Sequence, residues 1–465
     1  MIGMLEEFDM KIGVMGAGYV GLTTGICLAS LNHNVSIYDI SSTKIQQINN
    51  KVTPFFEAGL DELLAKTISS NSLNATNDID ELVKNSECCF VCVGTPSNPN
   101  NSIDLSQIIS AVTSLANSVK KLEKLNYTII IRSTVIPSTT RHKVLPLLKK
   151  TLKENQFGLC VVPEFLRESQ AVKDFMNPDK IVIGSFEETS LNQVEKIFQN
   201  FKNKTNFVKT NPETAELIKY ANNTFFSTLI SFANEISNIA ENVGNVDAFE
   251  VINALIFDKR ITTTFQDKKI TPELISYLLP GCGFGGSCFP KDIKAIVQYA
   301  IHNKINTPLL DSVLKINEER PQKIITIAES LLGTLKDKKI SILGLTFKPE
   351  TDDVRSSPAL DAIKILQEKG SEVLAYDPVI SKNNELQKIF DFSIASSIAE
   401  CLQNSDVCIL FTKWPEFNSI DKDLLNKYMK KPLIIDGRGF LNKKNFDKNT
   451  YYKIGLVEKM NEELI

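Results

Sequence analysis

"KIGVMGAGYVGLTTGICLASLNHNVSIYD", residues 11–39, holds the pattern on which the fold turns. An apolar strand from Ile12 to Met15 runs into Gly16, Gly18 and Gly21 in G-x-G-x-x-G spacing. A helical stretch follows to about Leu31, and a second strand from Val35 ends at Asp39. Glycine turns are common, but this one stands after a strand, before a helix and about 20 residues ahead of an acidic residue, which together specify a dinucleotide-binding βαβ unit. The glycines permit a tight turn and let a pyrophosphate sit at the helix N-terminus, where N–H groups and the dipole favour an anion. Asp39 is placed to accept from ribose hydroxyls and to repel a 2′-phosphate, so NAD is expected in preference to NADP.

Outward from this unit, apolar strands alternate with helical stretches: "CCFVCVGTP" (88–96), "YTIIIRSTV" (127–135), "GLCVVPEF" (158–165) and "KIVIGS" (180–185). Continuous apolar runs separated by helices predict a parallel sheet covered on both faces. Cys89 and Cys92 form a C-x-x-C, but inside such a run they read as core. The strands end in Thr95-Pro96, Ser133-Thr134 and Glu164, and ligands in open α/β sheets lie beyond the carboxyl ends of strands. From Asn211 the pattern changes. Pro212 suits a helix start and Gly244 a helix stop, with no glycine or proline between, which predicts one helix of about 30 residues, roughly 45 Å long. It is long enough to bridge two domains and to form a dimer surface; Lys219 and Asn223 share one of its faces. A second α/β unit follows from about residue 331, with Gly344 alone in place of the fingerprint. The expected fold is two Rossmann-like, doubly wound α/β domains, 1–210 and 331–465, joined by a central helical domain, 211–330.

Composition narrows the function classes. With 465 residues, 43% hydrophobic, 23% charged and a formal net charge of -3, the chain has no basic field for nucleic acid. The acidic N-terminus lacks a basic and apolar leader, and no run of 18 apolar residues occurs, so a cytoplasmic location off the membrane is expected. Nine cysteines at irregular spacing argue for reduced thiols rather than a disulfide framework. One of them lies in "PGCGFGGSCFPKD", residues 280–292. Pro290 suits the first turn of a helix, which puts Cys288 near its N-cap, where the dipole and Lys291 favour the thiolate of a nucleophile. Asp292, one turn on, could handle protons, and Cys282 reads as packing. His33, His142 and His302 are scattered, so no metal site is expected.

Seven stretches, "GAGYVGL", "CVGTP", "RSTVIPSTT", "PEFLRESQAV", "ELIKYANNTF", "GFGGSCFPKD" and "GLTFKPETDDVRSSPA", occur in an order that resembles the UDP-glucose/GDP-mannose dehydrogenase family over nearly the whole chain. The resemblance implies NAD-dependent, four-electron oxidation of a nucleotide sugar, with UDP-glucose expected and GDP-mannose or a UDP-N-acetylhexosamine as alternatives; a two-electron hydroxyacid-type dehydrogenase shares the N-terminal unit and helical bridge but gives no reason for the cysteine loop. It implies that Cys288 is the nucleophile, that Asp292 and Thr134 manage water and protons, that Glu164 is the base for hydrolysis, and that Lys219 with Asn223 stabilises an oxyanion. Tyr19, Val20, Asp39, Lys44, Thr95, Thr134, Glu168, Lys291 and Arg355 fall where family members contact NAD. Glu164, Phe165, Leu166, Lys219, Asn223, Tyr277, Gly285 and Lys348 fall where they hold the nucleotide sugar. Two departures stand out: Ala58 replaces a usual proline, and Arg260 lies further ahead of the cysteine loop than the family pattern has it, because "TTTFQDKKITPELISYL" lengthens the connection.

Overall fold

The computed structural model describes residues 10–266, 268–447 and 449–456; the acidic N-terminal residues 1–9, and with them the reading of a missing leader, lie outside the described residues. The chain divides into two units, residues 1–222 and 223–465. In the first, eight strands form one sheet: β1 (Lys11–Met15), β2 (Asn34–Tyr38), β3 (Leu73–Thr76), β4 (Cys88–Val91), β5 (Tyr127–Ile131), β6 (Phe157–Val161), β7 (Lys180–Ser185) and β8 (Asn206–Thr210). Their order is β3-β2-β1-β4-β5-β6-β7-β8. The predicted parallel sheet is present, with β6 and β7 as an antiparallel pair. Most of the chain joining those two is loop, with one six-residue helix at Ala171–Met176, and Glu164 stands near the start of that loop.

Alternation along each strand builds two cores. On β4, Cys88 and Phe90 enter the core beneath helix α1 (Tyr19–Ser30), while Cys89 and Val91 enter the opposite one. Cys92 joins the first core and Cys89 the second, so the C-x-x-C is divided across the sheet and both thiols serve as packing. Burial pushes the Cys92 pKa up to about 12.

The long helix α2 (Pro212–Val243) has the bounds that proline and glycine predict, and the division at Asn222 falls inside it. The second unit then contains helix α3 (Ala248–Ile256), a hairpin of β9 (Thr263–Phe265) and β10 (Lys268–Ile270), and helices α4 (Phe289–His302) and α5 (Pro308–Leu332). The segment that lengthens the chain ahead of the cysteine loop is this hairpin with the 3-10 turn Glu273–Tyr277. A second sheet takes β11 (Lys339–Leu343), then helix α6 (Pro358–Glu368), β12 (Glu372–Tyr376), β13 (Ser393–Ile394), β14 (Val407–Leu410), β15 (Ile434–Asp436) and β16 (Tyr451–Lys453). Its order is β13-β12-β11-β14-β15-β16, all parallel. Ile340 and Ile342 enter one core and Leu343 the other. Burying an aliphatic side chain of this size contributes about 1.5–3 kcal/mol.

Candidate functional site

In the first unit the residues singled out by sequence gather at the carboxyl ends of β1, β2, β4, β5 and β6. Gly16 takes φ +105, and a side chain there would press on the Cys92 carbonyl at 2.9 Å. A Cβ on Gly21 would overlap the Gly16 carbonyl oxygen, whereas Gly18 faces open space. That opening lies at the N-terminus of α1, which no side chain caps, so a pyrophosphate has both room and N–H donors. The Asp39 carboxylate accepts from Ala17 N at 2.7 Å and Ser41 N at 2.9 Å, with Lys44 Nζ at 3.9 Å. Asp39 thus shapes the turn at the carboxyl end of β2. Thr95 and Thr134 follow β4 and β5 and are half-buried.

Beyond β6, Glu164 is buried. Its Oε1 accepts from Lys219 Nζ at 2.8 Å and its Oε2 from Leu166 N at 2.6 Å. Burial pushes the carboxyl pKa up, but the Lys219 charge and hydrogen bond, the Leu166 amide and the Arg132 charge outweigh it and hold the group below its ordinary value. Glu164 is therefore a carboxylate at neutral pH. The Phe165 ring lies 4.3 Å from Lys180 Nζ and 5.6 Å from Lys219 Nζ. Glu168 is half-buried in the same loop.

Three neighbours escaped sequence reasoning. Lys180, the first residue of β7, donates to Asn222 Oδ1 at 3.0 Å; its pKa is depressed by burial, and the Lys219 charge adds to this. Arg132 is 5% exposed and donates through Nε to Thr24 Oγ1 at 3.0 Å. Glu57 accepts from two separate stretches of chain, at Tyr19 and at Ala171. No spacing rule marks a lone charge at a strand end or in a loop, so only the fold reveals them.

In the second unit Cys288 is the N-cap of α4, as the position of Pro290 predicts. It is half-buried, whereas the other eight cysteines are buried. Ser287 Oγ stands 3.6 Å from its sulfur. Asp292 is almost wholly buried, its Oδ2 accepting from Asn223 Nδ2 at 2.6 Å and its Oδ1 from Lys291 Nζ at 2.5 Å. The Lys291 ammonium, three residues past Cys288, is ion-paired with Asp292.

The loop ahead of Cys288 is anchored from several sides. Asn234 Oδ1 accepts from Gly281 N at 2.8 Å, and Arg320 Nε donates to Gly281 O at 2.9 Å. Arg438 donates to Gly283 O at 3.1 Å, and Asn317 exchanges two hydrogen bonds with the Phe284 backbone. A Cβ on Gly285 would overlap the Ser356 carbonyl oxygen, so this glycine is required by close backbone approach. Cys282 donates to Gly437 O at 3.0 Å, and burial pushes its thiol up to about 11, which bears out the packing reading.

Tyr277 packs on Phe226, ring centroids 4.5 Å apart. Lys348 Nζ lies 5.6 Å from the Phe347 ring. Arg355 is exposed and bidentate to Asp353. Arg260 is exposed as well and forks onto Asp258, two residues away. Among the described residues no group of His, Cys, Asp and Glu is placed to hold a metal ion, and no helix is long and apolar enough to cross a membrane.

Comparison with known proteins accounts for both units. Residues 10–202 match the UDP-glucose/GDP-mannose dehydrogenase family's NAD binding domain, 213–319 its central domain and 341–443 its UDP binding domain. The chain belongs to this family. UDP-glucose 6-dehydrogenase TuaD of Bacillus subtilis is 36% identical over 434 residues, covering 93% of this chain and 90% of the relative. Among solved structures, a UDP-glucose dehydrogenase from Pyrobaculum islandicum superposes with TM-score 0.87 at 29% identity, covering 97% of this chain and 99% of that one. A UDP-D-ManNAc dehydrogenase from Pyrococcus horikoshii gives 0.81 at 29%, covering 96% and 99%.

Family membership makes the chain an NAD-dependent oxidoreductase acting on a nucleotide sugar. The open space at Gly18 and the uncapped α1 fit the dinucleotide that the family description names.

Proposed function

We propose that the protein oxidises UDP-glucose to UDP-glucuronate, reducing two NAD, through a covalent adduct on Cys288. The observation that carries this reading is the exposure pattern of the thiols: of nine, only Cys288 is not buried, and it caps a helix N-terminus. Alcohol to acid is a four-electron change, so the aldehyde must be retained between two oxidations. Bound NAD supplies the two-electron oxidant for each. The Cys288 thiolate adds to the aldehyde carbon, forming a carbon–sulfur bond and an oxyanion that takes up a proton as thiohemiacetal. Lys219 and Asn223 stabilise that oxyanion. The second oxidation leaves a thioester, and water cleaves the carbon–sulfur bond, returning the thiol and releasing the acid. Glu164 orients that water and accepts its proton, while Asp292 and Thr134 hold protons and water.

Curated relatives at 36–37% identity carry the name UDP-glucose 6-dehydrogenase, which supports glucose as the sugar. A second reading, a UDP-N-acetylhexosamine, is favoured by the Pyrococcus neighbour's similar TM-score. Leu217, Phe225, Phe232, Ile239 and Val243 are exposed along α2 at spacings of 8, 7, 7 and 4 residues, a stripe suited to pairing of two copies; light scattering reads the mass.

The deciding experiment counts NADH and acid together over a panel of nucleotide sugars. Wild type yields two NADH per UDP-glucose, while Cys288→Ser binds both ligands yet forms little free acid. Full turnover by Cys288→Ser at two NADH per sugar would sink the covalent route.

A further inference from the structure

Glu57 lies ahead of the helix Leu60–Ser69 and is 3% exposed. Its Oε1 accepts from Ala171 N at 2.8 Å and its Oε2 from the Tyr19 hydroxyl. The same hydroxyl accepts from Ser169 N at 3.0 Å, and the Tyr19 ring packs on Phe55 with centroids 5.1 Å apart. Tyr19 is the first residue of α1, beside Gly18. Ser169 and Ala171 close the loop that opens with Glu164, Phe165 and Leu166 and continues through Glu168. One carboxylate and one hydroxyl therefore connect the glycine turn to that loop.

The connection is tightly specified. Ser169 sits at φ +63, a left-handed conformation that is unfavourable for a non-glycine residue and persists where neighbours hold it. Burial first, then the hydrogen bond to Glu57, raises the Tyr19 pKa above its ordinary value, so the hydroxyl keeps the proton that it donates to Glu57. A hydroxyl that donates to a carboxylate and accepts from an amide fixes the polarity of the relay in one direction.

We propose that Glu57 is a positioning residue: through Tyr19 it transmits the ordering of the glycine turn by bound NAD to loop 164–171. A dinucleotide on the α1 N-terminus restricts the Tyr19 backbone. The hydroxyl carried on it becomes a fixed partner for Ser169 N and Glu57, and the loop loses less entropy when it orders around the sugar. The relay rests on the proposed function only for the roles of Glu164, Phe165 and Leu166.

The test is amide hydrogen exchange of the full-length protein with and without NADH. Wild type should show exchange across 164–171 slowed about tenfold by NADH. In Glu57→Gln and Tyr19→Phe, each saturated with NADH as read by its fluorescence, the slowing should fall below about twofold, and the double variant should add nothing further, as for two members of one relay. Undiminished protection in both variants overturns the proposal, as does its absence in wild type. Loss of NADH binding in both folded variants overturns it too, since the relay would then belong to the cofactor site itself. If Cys288→Ser retains full turnover, the proposed function fails while the exchange result stands.

Discussion

The two sheets contain the same turn put to different uses. At the end of β1, Gly16 at φ +105 donates to Tyr38 O at 2.7 Å, and Asp39, just past β2, receives Ala17 N. At the end of β11, Gly344 at φ +88 donates to Tyr376 O at 2.8 Å, and Asp377, just past β12, receives Leu345 N and Thr346 N. The two diverge immediately after the glycine. In the first sheet α1 begins three residues later and presents its N-terminus; in the second, the segment 345–357 intervenes before α6. Asp377 is wholly buried and also takes the Thr346 hydroxyl and Trp414 Nε1. Asp436, equally buried, takes the backbone of Phe440 and Leu441 and the Tyr451 hydroxyl. The second sheet commits its carboxylates to its own loops. The first leaves Asp39 with two backbone amides and sets Glu164 against a lysine. A repeated fold thus hosts one dinucleotide fingerprint, because binding a pyrophosphate at the glycine turn needs a helix N-terminus that follows the turn directly.

The sharpest test of this contrast is a glycine exchange. Gly21→Ala drives a side chain into the Gly16 carbonyl and should weaken NAD binding by about a hundredfold or more, since the turn itself must open. Gly344→Ala meets Thr412 and a positive φ; it should lower the melting temperature and leave NAD affinity within about twofold. Equal loss of NAD binding in both would break the comparison, and fluorescence titration decides it.

Lys219→Ala tests the use of a carboxylate for chemistry. Without its partner, burial dominates at Glu164 and its pKa rises. Activity that requires the carboxylate is lost as pH falls through that pKa, so the acid limb of the rate profile should move to higher pH, with kcat reduced about a hundredfold and sugar affinity nearly kept. A rise in KM alone would make Lys219 a binding residue.

The paired aspartates separate stability from cofactor choice. Asp377→Asn should cost about 2–4 kcal/mol of stability in urea unfolding, because six donors lose a charged acceptor. Asp39→Asn should cost less and raise NADP use relative to NAD about tenfold. Unchanged cofactor preference would remove Asp39 from the ribose position.

The smallest effect concerns Glu216 of α2. It is buried and accepts from Ser138 N and Thr140 N, yet burial raises its pKa to about 7. The native state holds this proton more tightly than the unfolded chain. Stability from this group is therefore full below its ordinary pKa and is lost as pH rises toward 7. Glu216→Gln should flatten the melting temperature between about pH 5 and 7, in the range where wild type declines.

Much of the fold was legible because it rests on local rules. Proline and glycine set the bounds of α2, continuous apolar runs marked β1, β2, β4 to β7 and the inner strands of the second sheet, and Pro290 put Cys288 near a helix start. Short strands such as β3 and β13 had too few residues to show a period, and β16 follows a loop rather than a helix. The roles of Lys180, Arg132 and Glu57 were not legible, since each acts on residues distant in sequence.

By itself the sequence determined the glycine fingerprint with Asp39, the cysteine at a helix N-cap and the length of α2, all properties of a few neighbouring residues and their backbone preferences. Only the tertiary structure decided that Glu164 is ionised, because that depends on Lys219 arriving 55 residues later in the chain to lie 2.8 Å away. It also decided that Lys291 pairs with Asp292, that Asp377 gathers more donors than Asp39, and that Glu57 links two loops. Charge and hydrogen bonding act through space, and which groups meet is set by packing rather than by spacing along the chain.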